Sequence, residues 1–182
     1  FFVVCTKDGR RWHEYGVTMS DGYGDAKWFR AATSKDKIPD IVVELLRMAR
    51  TQTDGHAKRL YVDGGGEFIN AVVKGEVSRL GMELHWPPKE TPQLNSISES
   101  WGKTLKSMAL TMLAHCGGPS VQWWARAASH ANFVWNRSHV CKRTSRTPYE
   151  ELRRKATSVR HWGVFGCDVV YHVPKSGRQD TF

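Results

Sequence analysis

The chain has 182 residues and carries 27 Lys and Arg against 18 Asp and Glu, a formal charge of +9. At 40% hydrophobic and 25% charged it has the make-up of a globular domain long enough to bury a sizeable core, and no apolar run approaches the ~18 residues that a membrane span needs. The basic excess favours a polyanionic partner, nucleic acid or an acidic membrane surface. Cys5, Cys116, Cys141 and Cys167 are widely spaced and form no CxxC pair. That argues against a structural zinc site or a disulfide framework and makes a reducing intracellular setting the expectation. The eight histidines form no HxxxH or HxH pair with cysteine partners, so no zinc is assigned. The chain opens on Phe1, no signal peptide is read at its start, and it is taken as a piece of something longer.

In chain order, Phe1 to Thr6 is apolar and β-prone, Asp8-Gly9 is a hairpin turn signal, and Trp12 to Met19 reads as the returning strand. Lys27 to Ala31 reads as a third strand. Ser34 or Asp36 can cap a helix with Pro39 in its first turn, where Ile38, Ile41, Val42, Leu45, Leu46 and Met48 recur at helical spacing. Arg59 to Val62 is a short strand ending at Asp63, Phe68 to Leu80 a helix stopped by Gly81, and Met82 to Trp86 another strand. Pro87 to Asn95 reads as a loop with three prolines. Ile97 to Ala114 and the Trp-rich Val121 to Asn136 read as helices, separated by Gly117-Gly118-Pro119. This order predicts an α/β plan: a mixed sheet flanked by helices, opening on an antiparallel meander whose later strands need crossovers.

The stretch LYVDGGGEFIN, Leu60 to Asn70, puts a carboxylate at the C-terminal end of a strand, where α/β sheets place ligands, with glycines that let a bulky group approach. A phosphate-binding loop fits poorly, because no Gly-Lys-Ser/Thr follows and the acid leads. Two readings stay open on this stretch: a hard oxygen ligand for Mg²⁺, or a glycine-rich turn with Asp63 capping the next helix. Glu99 adds a second acid at the start of a helix, with Lys103 and Lys106 at i+4 and i+7 on the same face. A solvated helix face would carry such a pair, and a metal-bound phosphate flanked by lysines would use it.

Between Asp63 and Glu99 lie 35 residues. With that gap the chain resembles retroviral and retrotransposon integrases, whose acidic triad is two aspartates and a glutamate. The surrounding words resemble the copia-like branch. VDGGGEF (Val62 to Phe68) is similar to its second-Asp motif and TPQLNSISE (Thr91 to Glu99) to its third-acid motif, although Ser96 stands where glycine is usual. WWARAASHANFVWNR (Trp123 to Arg137), TPYEEL (Thr147 to Leu152) and VFGCDVVYHVP (Val164 to Pro174) resemble the segments that follow. The resemblance covers nearly the whole chain, in order. It implies a ribonuclease-H-like fold with a mixed five-stranded sheet flanked by helices, a catalytic core over residues 1–152 and a C-terminal extension of it over 153–182. It also implies DNA strand transfer, with Mg²⁺ or Mn²⁺ held by carboxylates including Asp63 and Glu99 and donor DNA phosphate contacted by Lys103 and Lys106. The implied partners are element ends, target DNA and further copies of the chain, in the nucleus or a virus-like particle. Any zinc-binding N-terminal domain would lie upstream.

The first acid of such a triad is absent from its expected place. Anchored on SDGYGDAKW (Ser20 to Trp28), it falls near Val4 or a little before it, where the sequence reads FFVV. It lies before Phe1, has been lost, or is served by Asp8 or Asp21; loss or truncation is favoured. The alternatives to an integrase core are a non-catalytic nucleic-acid-binding remnant of a transposable element and another ribonuclease-H-like transposase or nuclease. Trp123, Trp124 and Trp135 on one helix suit core packing or a dimer surface, and the eight Lys/Arg between Arg137 and Arg160 are expected to meet phosphate.

Overall fold

The computed structural model describes the backbone of residues 2–10, 13–63, 65–86, 92–117 and 121–168, and the side chains of residues 15–63, 65–86, 100–117 and 122–168. β1 (Phe2–Arg10), β2 (His13–Ser20) and β3 (Lys27–Ala32) form the expected antiparallel meander. Successive residues of β3 feed opposite faces of the sheet: Trp28 enters one buried cluster and Phe29 the other. One correction concerns Asp8-Gly9, which lies inside β1 rather than at the turn. The pairs Lys7↔Tyr15 and Arg10↔His13 leave two residues of β1 opposite one of β2. That is a β-bulge, a place that suits Asp-Gly as well as a turn does.

α1 (Ile38–Gln52) buries Ile38, Val42, Leu45, Leu46 and Ala49, one stripe at the spacing read from the sequence. Neither Ser34 nor Asp36 caps it. A 3-10 turn over Lys35–Lys37 intervenes, and the residue ahead of the helix is Lys37, with no side-chain cap; Pro39 sits in the first turn as expected. β4 (Arg59–Val62) runs parallel to β1, and β5 (Glu83–His85) parallel to β4. The sheet order is β3-β2-β1-β4-β5. α2 (Ala71–Arg79) begins three residues later than predicted, because the Asn70 side chain accepts the Val73 N–H at 3.0 Å and caps it. Phe68 is instead a buried turn residue, 1% exposed. Gly81, at φ +64°, ends this segment as expected.

α3 (Pro92–His115) starts earlier than read, with proline as its first residue, a position that needs no N–H. A 3-10 turn, Val121–Trp123, leads into α4 (Trp124–Ser138). α5 (Pro148–Arg153) was not anticipated as a helix. Its signal is the run Thr147-Pro148-Tyr149-Glu150: Thr147 and Glu150 form a reciprocal capping box, and Pro148 opens the helix. α1 packs on β2 and β3 and against α2, while α3 packs on β1 and β2 and α4 on β3. The two buried clusters are thus the two sides of one sheet. No helix among the described residues is long and apolar enough to cross a membrane.

Two polar clusters tie these layers together. Glu76, 6% exposed on α2, accepts Arg47 Nε and Nη2 of α1 at 2.8 and 2.9 Å, and Arg79 Nη2 at 2.6 Å. Hydrogen bonds from Arg47, then Arg79, hold its carboxyl well below the usual carboxylate range. A depressed folded value contributes stability above the unfolded carboxylate range, and that contribution drains away as pH falls below about 4.5. Glu76→Gln is therefore expected to lose about 2 kcal/mol at pH 7, with the gap to the parent narrowing at pH 3; urea midpoints at the two pH values check this.

The second cluster lies where α4 meets β3. Asn136 accepts the Lys27 N–H at 2.9 Å and donates to the Lys27 carbonyl at 2.6 Å. The Lys27 ammonium, 4% exposed, lies 2.6 Å from Asp25, which also holds His139 at 2.8 Å. Trp135 stacks on His139 at 4.0 Å and leans on Trp101 at 5.0 Å.

Candidate functional site

Asp63 follows Val62 directly at the C-terminal end of β4 and is exposed. The other acid of its glycine-rich stretch, Glu67, pairs with Lys35 at 3.3 Å. Its carboxylate folds over Gly65, where a Cβ would stand 2.8 Å from it and would push the flexible carboxylate aside. Neither acid of this stretch caps α2; Asn70 does.

The neighbour of Asp63 is set by β-sheet register. β4 pairs in parallel with β1 through Phe2↔Tyr61 and Val3↔Val62. One more step along that register puts Val4 beside Asp63. The place where the sequence led one to expect a first acid, near Val4, thus lies beside Asp63 in this register and is apolar. The two other acids named for it lie elsewhere. Asp8 lies four residues further along β1, roughly 13 Å at the rise of an extended strand. Asp21 follows β2 at the end where Ser20 pairs with Phe2. Its carboxylate is taken by the Tyr23 and Gly24 N–H groups at 3.2 and 2.6 Å, which shape the β2–β3 turn.

α3 carries the remaining predicted residues. Trp101, Leu105, Ala109 and Leu113 are buried against the sheet and α4, and Lys103 and Lys106 are exposed, as the helical spacing required. Glu99 lies on the same helix, four residues ahead of Lys103, and its side chain falls outside the described residues. Because α3 packs on β1, the helix of Glu99 and the strand of Asp63 flank the same central strand. Among the described residues no group of three or more His, Cys, Asp or Glu is gathered as a metal site.

The tryptophans divide. Trp135 packs inward, its ring against Trp101, while Trp123 is 45% exposed. The basic run after α4 divides as well. Arg146 and Arg154 lie 3.9 and 3.3 Å from Glu151. Arg143 donates to the Gly22 carbonyl, whereas Arg153, Lys155 and Arg160 are exposed.

No family model matches the chain. Among curated proteins it is 27% identical over 166 residues to the retrovirus-related Pol polyprotein from transposon TNT 1-94 of Nicotiana tabacum, covering 91% of this chain and 12% of that protein. It is 26% identical over 155 residues to the corresponding polyprotein from transposon RE2 of Arabidopsis thaliana, covering 85% and 10%. The chain thus spans about a tenth of the length of these relatives. Among solved structures, it aligns at a TM-score of 0.66 and 12% identity with a chain of the simian T-cell lymphotropic virus intasome in complex with a PP2A regulatory subunit, covering 95% of this chain and 59% of that one. The HTLV-2 integrase catalytic core domain in complex with magnesium, a trimeric form, aligns at 0.62 and 12% identity, covering 83% and 92%. These structural likenesses establish the fold, and the polyprotein matches place the sequence resemblance among plant copia-like elements. By sequence and by fold, the chain resembles the catalytic core of retroviral and retrotransposon integrases, in its copia-like branch.

Proposed function

We propose that this chain is the DNA-handling core of an integrase-type polynucleotidyl transferase, with Asp63 and Glu99 as ligands of one divalent cation, Mg²⁺ or Mn²⁺, and Lys103 and Lys106 as contacts to donor DNA phosphate. The observation that carries the reading is the arrangement around β1: Asp63 ends the adjacent parallel strand and the helix of Glu99 packs on β1 itself. Elements carrying residues 36 apart in sequence thereby flank one central strand. Two carboxylates are hard oxygen donors suited to such a cation. A pair of ions, clamping the attacking and leaving oxygens of an in-line displacement, requires a further bridging acid. The position beside Asp63 that would supply it is Val4, so the donor set fits one ion and falls short of two. The exposed lysines of α3 and of the run after α4 supply sequence-independent attraction to the DNA backbone.

The same valine favours a second reading, a nucleic-acid-binding chain that keeps the fold and basic faces and has lost strand joining. A related transposase or nuclease would be told apart by its products, joined rather than merely cut strands. Element ends, target DNA and further copies of the chain are the proposed partners, with residues 153–182 as an extension of the core and the nucleus or a virus-like particle as the setting.

Calorimetric titration with Mn²⁺ tests the metal site. The parent is expected to bind one ion, and Asp63→Asn and Glu99→Gln each to weaken binding at least about tenfold, the lower range for groups that merely support a metal ligand. A folded parent that releases no heat, or variants that bind as the parent does, would overturn the assignment.

A further inference from the structure

The segment after α5 brings two cysteines to one place, the C-terminal end of α3. Cys116 is the first residue past that helix, and its N–H donates to the Met112 carbonyl at 3.2 Å. Later in the chain, Phe165 packs against the buried cluster between α3 and α4, and Gly166 comes down on Cys116. A Cβ at Gly166 would stand 2.4 Å from the Cys116 Cβ and 3.2 Å from its Sγ. Gly166 also has φ +81°, a left-handed backbone that favours glycine. The close approach that this glycine permits carries Cys167, one Cα step of about 3.8 Å further on, to the end of α3. A turn fixes that step, with the Cys167 N–H on the Val164 carbonyl at 3.1 Å. Cys167 is exposed, and its Sγ lies 3.4 Å from where a Cβ of Gly163 would stand. Cys116 is half-buried, and its thiol donates to the Leu113 carbonyl at 3.2 Å. Both are free thiols.

We propose that Cys116 and Cys167 are a reversible thiol pair, whose oxidation to a disulfide ties the C-terminal segment to the helix that carries Glu99, Lys103 and Lys106. A disulfide needs Cα atoms about 4.4–6.8 Å apart. With Gly166 already against Cys116, closure asks for rotation of the two side chains and a small shift of the turn around Cys167. The oxidant is a small disulfide such as oxidised glutathione. The exposed Cys167 loses its proton, and its thiolate attacks one glutathione sulfur and releases the other as a thiolate. The Cys116 thiolate then displaces the second glutathione from the mixed disulfide. One S–S bond forms and one breaks, the two protein thiols are oxidised, and their two protons end on two glutathione thiols. A reducing setting runs the exchange backwards and keeps the pair as the two thiols seen here. Cys141, 6% exposed, takes no part. The pair belongs to one chain and sits at the end of α3, so it holds with or without a second copy on the outer face of α4. It is equally independent of the cation reading above.

The test is mass mapping of unreduced peptides, with thermal melting of the whole chain, before and after equilibration with oxidised glutathione. The parent is expected to give a Cys116–Cys167 cross-linked peptide that dithiothreitol removes. Its Tm should rise by about 5 °C or more, since the bridge encloses 50 residues. Cys116→Ser and Cys167→Ser should each melt as the reduced parent does and lose the rise. Gly166→Ala is expected to link more slowly than the parent, because its Cβ would meet Cys116. Val164→Ala, a change at an exposed neighbour in the same turn, should link at the parent's rate. The proposal is overturned if the two cysteines stay thiols or end as separate glutathione adducts, if the link joins two chains, if the linked chain melts as the reduced one does, or if Gly166→Ala links as fast as the parent.

Discussion

On the proposed reading, Val4→Asp is expected to raise DNA strand joining by this chain, in Mg²⁺ or Mn²⁺, with a pre-cut duplex oligonucleotide as donor. The change supplies a carboxylate at the register position beside Asp63. Metal stabilisation of charge in a displacement is worth several kcal/mol. With tenfold in rate for each 1.36 kcal/mol, a gain of at least about a hundredfold over the parent follows. Two controls give the result its meaning. Val4→Asp combined with Asp63→Asn should be silent, and calorimetry on Val4→Asp alone should show a second Mn²⁺ ion. A parent that already joins strands at a rate Val4→Asp does not raise would mean that the third ligand comes from elsewhere in the chain.

Asp25→Ala is expected to be the most destabilising single change on the α4 side of the sheet. It leaves the Lys27 ammonium, 4% exposed, without the carboxylate 2.6 Å away, and His139 without its partner at 2.8 Å. Removing one partner of a buried ion pair costs about 3–5 kcal/mol, because the remaining charge stays desolvated. Asp25 also has φ +59°, a left-handed backbone that aspartate tolerates and alanine does not. In a chain of this size the loss corresponds to a fall in Tm of about 10 °C. Asp25→Asn keeps the backbone preference and removes only the charge, so it should recover part of the loss. Combining Asp25→Asn with Lys27→Met removes both charges and should recover most of it. If Asp25→Ala melts within about 2 °C of the parent, Lys27 is solvated in solution and the pair adds nothing.

What the sequence disclosed follows from the range of the interactions involved. The stripe of α1 is a local pattern repeated over several turns, and Lys27 to Ala31 is a local β-prone run; both were legible. Asn70 was not. Its capping bond to Val73 competes with the apolar pull of Phe68, which reads as the start of a helix and is in fact a buried turn residue. Asp8-Gly9 misled because one pair of residues serves a turn and a bulge equally, and only pairing across to β2 decides between them. α5 carried a clear capping signal in Thr147 and Glu150, but over six residues it has too few turns for periodicity to register. At the site, Asp63 and Glu99 stood out by residue type and spacing. The gap near Val4 stood out only through the family resemblance; the parallel pairing of β1 with β4 that sets it beside Asp63 joins residues some 60 positions apart and leaves no local trace.

The bond pattern of Asn136 has a consequence for how copies of this chain can meet. One amide that takes both the N–H and the C=O of Lys27 imitates a residue of a neighbouring strand, and it does so on the open side of edge strand β3. At the other edge, β5 is three residues long, too short a template for a partner strand to build on. Both rims of the sheet are thus blunted, one by mimicry and one by brevity. Growing a single sheet from molecule to molecule is thereby disfavoured at Lys27 and along β5, which works against edge-to-edge aggregation.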